Sequence, residues 1–344
     1  MRDDALDPSD LFEPARKAKS TEATPESAAI KPRVRFTRVL RGLRTCYLSR
    51  WRREISANGP ELTANDDIAR SAGSMMRDAS DSRIMLNRLN VRIDGAGRRT
   101  MVFAHGYGCD QNMWRLVAPA FENRFRTVLF DYVGAGGSDI SAYDADKYGS
   151  LEGYADDVID LAGALGITDG VFVGHSVSAM IGLIVARRAP QLFSTLVLVG
   201  PSPCYIDSGD YVGGFSREQI DELLAFLDSN HMGWSQAMAP VIMGNADRPE
   251  LGDELAASFC RTDPDIAKRF ARVTFLTDSR AELGAVDARV LVLQCREDVI
   301  APPCVGDFVR RAIPGSSLVT LDATGHCPNL SAPDATIAAI EAFV

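Results

Sequence analysis

The sequence has little that would serve a metal, a membrane or a disulfide framework. Its four histidines, His105, His175, His231 and His326, show no metal-ligand spacing, so no metal or other cofactor is expected. The seven cysteines (46, 109, 204, 260, 295, 304 and 327) are odd in number and scattered, with no C-x-x-C. They read as reduced thiols of a cytoplasmic protein, since the acidic start (Asp3, Asp4, Asp7, Asp10) is unlike a signal or transit peptide. No apolar run is long enough to span a bilayer, and no internal repeat is present. Positive charge is also scarce where a catalytic body would lie. Residues 1–83 carry 16 Lys+Arg against 13 Asp+Glu, a net of +3, which leaves −12 for the other 261 residues. Such a body is not built to take nucleic acid as its substrate.

What is present centres on Val171-Phe172-Val173-Gly174-His175-Ser176-Val177-Ser178-Ala179-Met180. A β-branched apolar run meets a helical pattern (residues 179–186) across a turn with serine at its apex. This is the layout of a nucleophile elbow, G-x-S-x-G, with Ser178 in place of the last glycine. Gly174 is expected to allow a tight turn, and a small residue at 178 to let the helix approach the strand.

The surrounding pattern is that of a layered α/β protein. Residues 1–83 read as a largely disordered extension. Within it, residues 31–53 hold nine basic and no acidic side chains, with Phe36, Val39, Leu40, Leu43, Tyr47 and Trp51 on one helical face. A basic amphipathic helix there suits an anionic membrane surface or an acidic partner; the plainer reading is a helix packed on its own acidic body, or a weakly structured tail. The folded body spans 84–344. A strand is expected over Leu86–Ile93, with Asp94-Gly95-Ala96-Gly97 as the turn. Buried strands follow at 100–104, 127–130, 171–175, 195–199, 290–295 and 318–321, separated by helices near 110–123, 151–165, 304–312 and 334–343. Strands alternating with helices give a mostly parallel central sheet covered on both faces. Between about 204 and 283 the alternation stops. Four helical stretches, near 216–230, 232–243, 249–260 and 264–276, read as an insertion over the sheet end. The glycine-rich loop at 134–137 lacks a dinucleotide fingerprint and reads as a turn.

Ser176, Asp298 and His326 each follow an expected strand, in the order nucleophile, acid, histidine. The chemistry needs all three. A serine hydroxyl is a poor nucleophile until an imidazole takes its proton, and a carboxylate fixes the imidazole's tautomer. Glu297 is the rival acid; Asp298 is favoured because it lies clear of the strand. The oxyanion would be bound by the backbone N–H groups of Val177 and of Tyr107, in the loop His105-Gly106-Tyr107-Gly108. His105 and His175 read as structural.

These residues resemble a known family. Gly174-His175-Ser176-Val177-Ser178-Ala179-Met180 is similar to the elbow of the strigolactone and karrikin receptor hydrolases of plants. Gly108-Cys109-Asp110-Gln111, Phe130-Asp131-Tyr132-Val133-Gly134, Gly200-Pro201-Ser202-Pro203-Cys204-Tyr205, Gly213-Gly214-Phe215 and Gly325-His326-Cys327-Pro328 resemble the RsbQ-like bacterial stress-response hydrolases. The resemblance covers about residues 84–344. It implies the α/β-hydrolase fold, a four-helix lid at about 204–283, and Ser176, Asp298 and His326 as the triad. It further implies a pocket lined by Tyr107, Tyr205, Phe215, Trp234, Phe259 and Phe275, with Met238 where the plant proteins carry phenylalanine. The implied activity is hydrolysis of a small apolar ester or butenolide-type lactone. The alternative is a ligand-sensing module with slow hydrolysis that engages a signalling protein at the lid.

Overall fold

The computed structural model describes residues 82–344. The basic amphipathic helix expected over 31–53, and the extension through residue 81, lie outside the described residues.

Seven strands make the sheet: β1 Arg92–Asp94, β2 Arg99–Ala104, β3 Phe125–Leu129, β4 Gly170–His175, β5 Phe193–Val199, β6 Arg289–Glu297 and β7 Ser317–Thr324. Their spatial order is β1-β3-β2-β4-β5-β6-β7, with β1 antiparallel to β3 and all other pairs parallel. The central strands are continuous apolar runs because both of their faces are buried. Successive side chains go to opposite faces. Phe172, Leu196, Leu198, Val290 and Val292 enter one core, while Val171, Val173, Val197, Val199, Leu291 and Leu293 enter the other. The first core also takes the buried faces of α1 Leu151–Ala164 and α2 Val177–Arg188.

Between β5 and β6 stand α3 Arg217–Ser229, α4 His231–Met243, α5 Pro249–Arg261 and α6 Pro264–Leu276. Each start has a local cause. Ser216 and Gln219 form a capping box, Asn230 caps α4 through the Gly233 N–H at 2.9 Å, Pro249 opens α5, and Asp263 accepts from Asp265 and Ile266. Gly244 ends α4 in the left-handed conformation. The apolar stripes of these helices, including Leu224, Met238, Leu255, Phe259 and Phe275, join the second core. Three further helices, α7 Pro303–Ala312, α8 Pro328–Ser331 and α9 Pro333–Glu341, complete the described chain. No helix among the described residues is long and apolar enough to cross a membrane.

Three local expectations are corrected. Residues 82–88 are helical rather than extended, and only Arg92–Asp94 is strand. In so short a stretch the apolar spacing fits both periods, and the helical one buries Leu89 completely. The turn at 95–97 is no hairpin, because β1 pairs with β3 and not with β2. The helix expected near 110–123 is two 3-10 turns, Gln111–Trp114 and Ala118–Phe121, the second opened by Pro119.

The glycine before the elbow has a different role from the one its motif suggests. A Cβ at Gly174 would lie 2.5 Å from the Ser178 carbonyl oxygen, so its need is close approach and not a special dihedral. Gly174→Ala is expected to destabilise the fold by about 2 kcal/mol or more, because backbone must shift in a close-packed layer. Urea denaturation measures it; an unchanged midpoint would contradict this account of the packing.

Candidate active site

Four loops leave the same end of the sheet and meet. One follows β2, the elbow follows β4, and the others follow β6 and the edge strand β7, all of them parallel. Convergence at the C-terminal ends of parallel strands is where open α/β sheets hold their sites.

Ser176 joins β4 to α2 at φ 57° and ψ −122°, a backbone conformation that costs a non-glycine residue energy. Hydrogen bonding holds it there: its N–H donates to Val199 O at 2.8 Å. The strained turn lifts the hydroxyl to the end of the sheet and points it at an imidazole. Ser176 Oγ lies 2.8 Å from His326 Nε2, and His326 Nδ1 lies 2.7 Å from Asp298 Oδ2. The second oxygen of Asp298 accepts from the N–H groups of Ile300 (2.9 Å) and Ala301 (3.0 Å). The carboxylate is thereby oriented by three bonds, and all three side chains are buried. Glu297 belongs to β6; it is exposed and bonds Thr324.

His326 is held by its backbone as well. Its N–H donates to Ile242 O in the last turn of α4 at 2.9 Å, and its C=O accepts from His175 Nε2 at 2.8 Å. Asn245 bridges the same two segments, donating to Met243 O at 2.6 Å and Thr324 O at 2.9 Å. Gly325 makes the approach possible: at φ 88° it sits where a Cβ would come within 1.8 Å of Met243 O. The histidine loop is therefore clamped between the elbow and the α4 end. Sequence reasoning missed Ile242 and Asn245, which carry no motif of their own.

The loop after β2 lies against the elbow, since a Cβ at Gly106 would be 2.5 Å from His175 Nδ1 and 3.3 Å from Ser176 Cβ. Ser178 is what pins it. Its hydroxyl donates to His105 O and pairs with Tyr132 OH at 3.0 Å. The serine that departs from the elbow pattern thus ties the elbow, the loop after β2 and the loop after β3 together, a role that its small size alone does not reveal. His105 donates from Nδ1 to Gly106 O and accepts at Nε2 from Tyr132 N–H. Burial lowers its pKa, and that of His175 to about 3, so both rings stay neutral structural links. Val177 opens α2, so its N–H has no intrahelical acceptor. Of the two expected oxyanion donors, Val177 directly follows the serine in the chain and Tyr107 lines the same cavity as Ser176.

The cavity over Ser176 has about 30 Å³ of free space. Of the expected pocket residues, Tyr107, Tyr205, Phe259 and Phe275 line it together with Ser176 and His326. Phe215, Trp234 and Met238 do not; they are buried in the second core. Trp234 packs its ring against Tyr107 and Phe259, with centroids 6.0 and 5.5 Å away, and so shapes the wall from the second layer. Leu255, Thr274, Ile300 and the thiols of Cys109 and Cys327 also face the cavity. Burial pushes the Cys109 thiol up to about 12 and that of Cys327 up as well, so neither is a competing nucleophile.

A family model described as the alpha/beta hydrolase family matches residues 101–339. A strigolactone esterase of Arabidopsis thaliana is 39% identical over 250 residues, covering 72% of this chain and 93% of its own length. A karrikin insensitive 2 receptor of Petunia hybrida is 36% identical, covering 72% of this chain and 92% of its own. Among solved structures, a hydrolase from Oleispira antarctica is 39% identical with a TM-score of 0.75, covering 76% of this chain and 96% of that one.

The buried His175 makes stability depend on pH. Its folded pKa of about 3 lies below the ordinary 6.5, so between those values the unfolded chain binds a proton that the folded chain does not. Stability is therefore expected to rise with pH across that window, at up to about 1.4 kcal/mol per pH unit from this group. Urea midpoints from pH 4 to 7 should show the slope, reduced in His175→Asn; an equal slope in both proteins would refute the assignment.

Proposed function

The chain belongs to the alpha/beta hydrolase family, and on that premise we propose that it is a cytoplasmic serine hydrolase of small apolar esters or butenolide-type lactones. The observation that carries this reading is the unbroken hydrogen-bond chain from Ser176 Oγ through both nitrogens of His326 to Asp298, at 2.8 and 2.7 Å. Ser176 Oγ attacks the carbonyl carbon while His326 Nε2 takes its proton. Asp298 stabilises the resulting imidazolium and keeps its tautomer. The N–H groups of Val177 and Tyr107 receive the oxyanion. His326 then passes the proton to the leaving oxygen, an acyl-enzyme remains on Ser176, and water attacks it with His326 as base. Relatives named as strigolactone esterases favour an ester or enol-ether lactone over an amide.

A second reading is favoured by the clamp on His326. The α4 end holds the catalytic histidine through Ile242 and Asn245, so occupancy of the cavity and the position of the insertion helices are mechanically linked. In that reading the four helices act as a lid, and the protein is a ligand sensor that presents this lid to a signalling partner after slow or single turnover. Relatives named as karrikin receptors are in keeping with it.

Ser176→Ala is expected to lower kcat for an aryl acetate by about 10⁴-fold or more while ligand binding persists. Intact-protein mass spectrometry with a butenolide ester should show an adduct on the wild-type chain alone; turnover by Ser176→Ala would overturn the proposal.

The small cavity sets an acyl-size limit. The cavity is walled closely by Tyr107, Tyr205, Phe259 and Phe275, so longer acyl chains are expected to require movement of the insertion helices. For aryl esters, kcat/KM should fall at least about 10-fold from acetyl to hexanoyl, and Phe259→Ala should recover part of the loss. A flat profile across chain length would show that the insertion helices open freely.

A further inference from the structure

The proposed mechanism leaves one polar group beside the nucleophile unused. The Tyr205 hydroxyl lies 3.5 Å from Ser176 Oγ, in the wall of the same cavity. Tyr205 is only 2% exposed, and its ring meets Phe275 edge-on at 5.0 Å between centroids. Burial pushes its pKa up to about 12, so the phenol keeps its proton and remains a donor.

The segment around it is built to hold that ring still. The Tyr205 carbonyl accepts from Phe215 N–H at 3.1 Å, and Asp207 N–H donates to Phe215 O at 2.8 Å. The Asp207 carboxylate accepts from the N–H groups of Gly213 (2.7 Å) and Gly214 (3.0 Å). A Cβ at Gly213 would lie 2.5 Å from the Tyr205 carbonyl, so chain passes directly over chain. One residue earlier, Cys204 O accepts from Tyr211 OH at 2.7 Å. All of this fixes the loop between β5 and α3, and from that loop only Tyr205 reaches the cavity wall.

We infer that Tyr205 is a further catalytic residue, whose hydroxyl donates a hydrogen bond to the leaving-group oxygen as charge develops there. The inference rests on the serine-hydrolase reading above. In the tetrahedral intermediate two other oxygens are bonded to the carbon that Ser176 Oγ has attacked, and a hydroxyl already beside Oγ is within reach of one of them. The acyl oxygen is taken by the Val177 and Tyr107 N–H groups. What remains for Tyr205 is the oxygen that departs. Tyr205 transfers no proton. The serine proton goes to His326 Nε2 and then to the leaving oxygen, which keeps the electron pair of the broken C–O bond. The donor lowers the barrier most where that oxygen carries most charge, in esters of poorly leaving alcohols. The hydroxyl thereby assists alkyl esters more than it assists activated aryl esters.

The test compares leaving groups at constant acyl group. Tyr205→Phe removes one oxygen and keeps the ring, so the fold should be retained. With an alkyl acetate its kcat should drop about 10-fold or more at similar KM; with 4-nitrophenyl acetate, whose leaving group needs no help, it should stay within about 2-fold. Asp207→Ala, which loosens the loop but keeps the hydroxyl, should show a weaker form of the same leaving-group dependence. Equal losses on both esters, or no loss on either, would overturn the inference. Ser176→Ala in the same assays separates the two levels. If it is inactive while Tyr205→Phe is unchanged, only the role of Tyr205 falls; if it still turns over, the serine mechanism itself falls.

Discussion

His326 makes four hydrogen bonds that no other residue in the site could replace. Its ring joins Ser176 to Asp298, its N–H is bound by the last turn of α4, and its C=O is bound by His175 in the elbow. The ring bonds are the ones the proposed chemistry would use, and the backbone bonds decide where the ring sits. A displacement of the α4 end by an ångström would reach the imidazole directly, because a hydrogen-bonded carbonyl is the only spacer. Gly325 and Gly244 let the two segments approach this closely, so the helical insertion and the triad form one mechanical unit.

A second set of contacts keeps the loop after β2 in register with the elbow. Ser178 bonds the His105 carbonyl and Tyr132, and Tyr132 N–H bonds the His105 ring. Glycine at 178 would give the same close helix–strand approach but would lose both bonds made by the Ser178 hydroxyl. The departure from the elbow pattern therefore exchanges backbone freedom for a fixed loop. The neutral, deeply buried His105 and His175 serve the same end, since a charged ring at either place would carry a large desolvation cost. Neither ring touches the reacting atoms, yet each sets the position of something that does.

Around this frame the aromatic side chains divide into two layers. Tyr107, Tyr205, Phe259 and Phe275 reach the cavity, while Trp234 supports two of them from behind. Phe215 and Met238 are packing residues on the structure's account, although all seven were equally eligible by motif. Helical periodicity identifies which face of a helix is buried. It does not distinguish the part of that face that meets a neighbouring helix from the part that meets a ligand. That difference depends on how four helices cross, and crossing angles are fixed by packing.

The βα rhythm, the elbow, the order Ser176, Asp298, His326 and the four insertion helices were legible in the sequence alone. Each of these is a local signal: a run of apolar β-branched residues, a serine between strand and helix, helical periodicity. The choice of Asp298 over Glu297 was also legible, since only Asp298 clears the end of β6. Where local signals were ambiguous, tertiary structure decided. The 82–88 segment is helix because that period buries Leu89, and β1 pairs with β3 because hairpin geometry is not set by turn residues alone. Only the folded chain brings Ile242 and Asn245 to the histidine loop, and only there do Ser178 and Tyr205 acquire partners far away in sequence. Those contacts rest on which loops share one end of the sheet, a property of strand order that no stretch of neighbouring residues encodes.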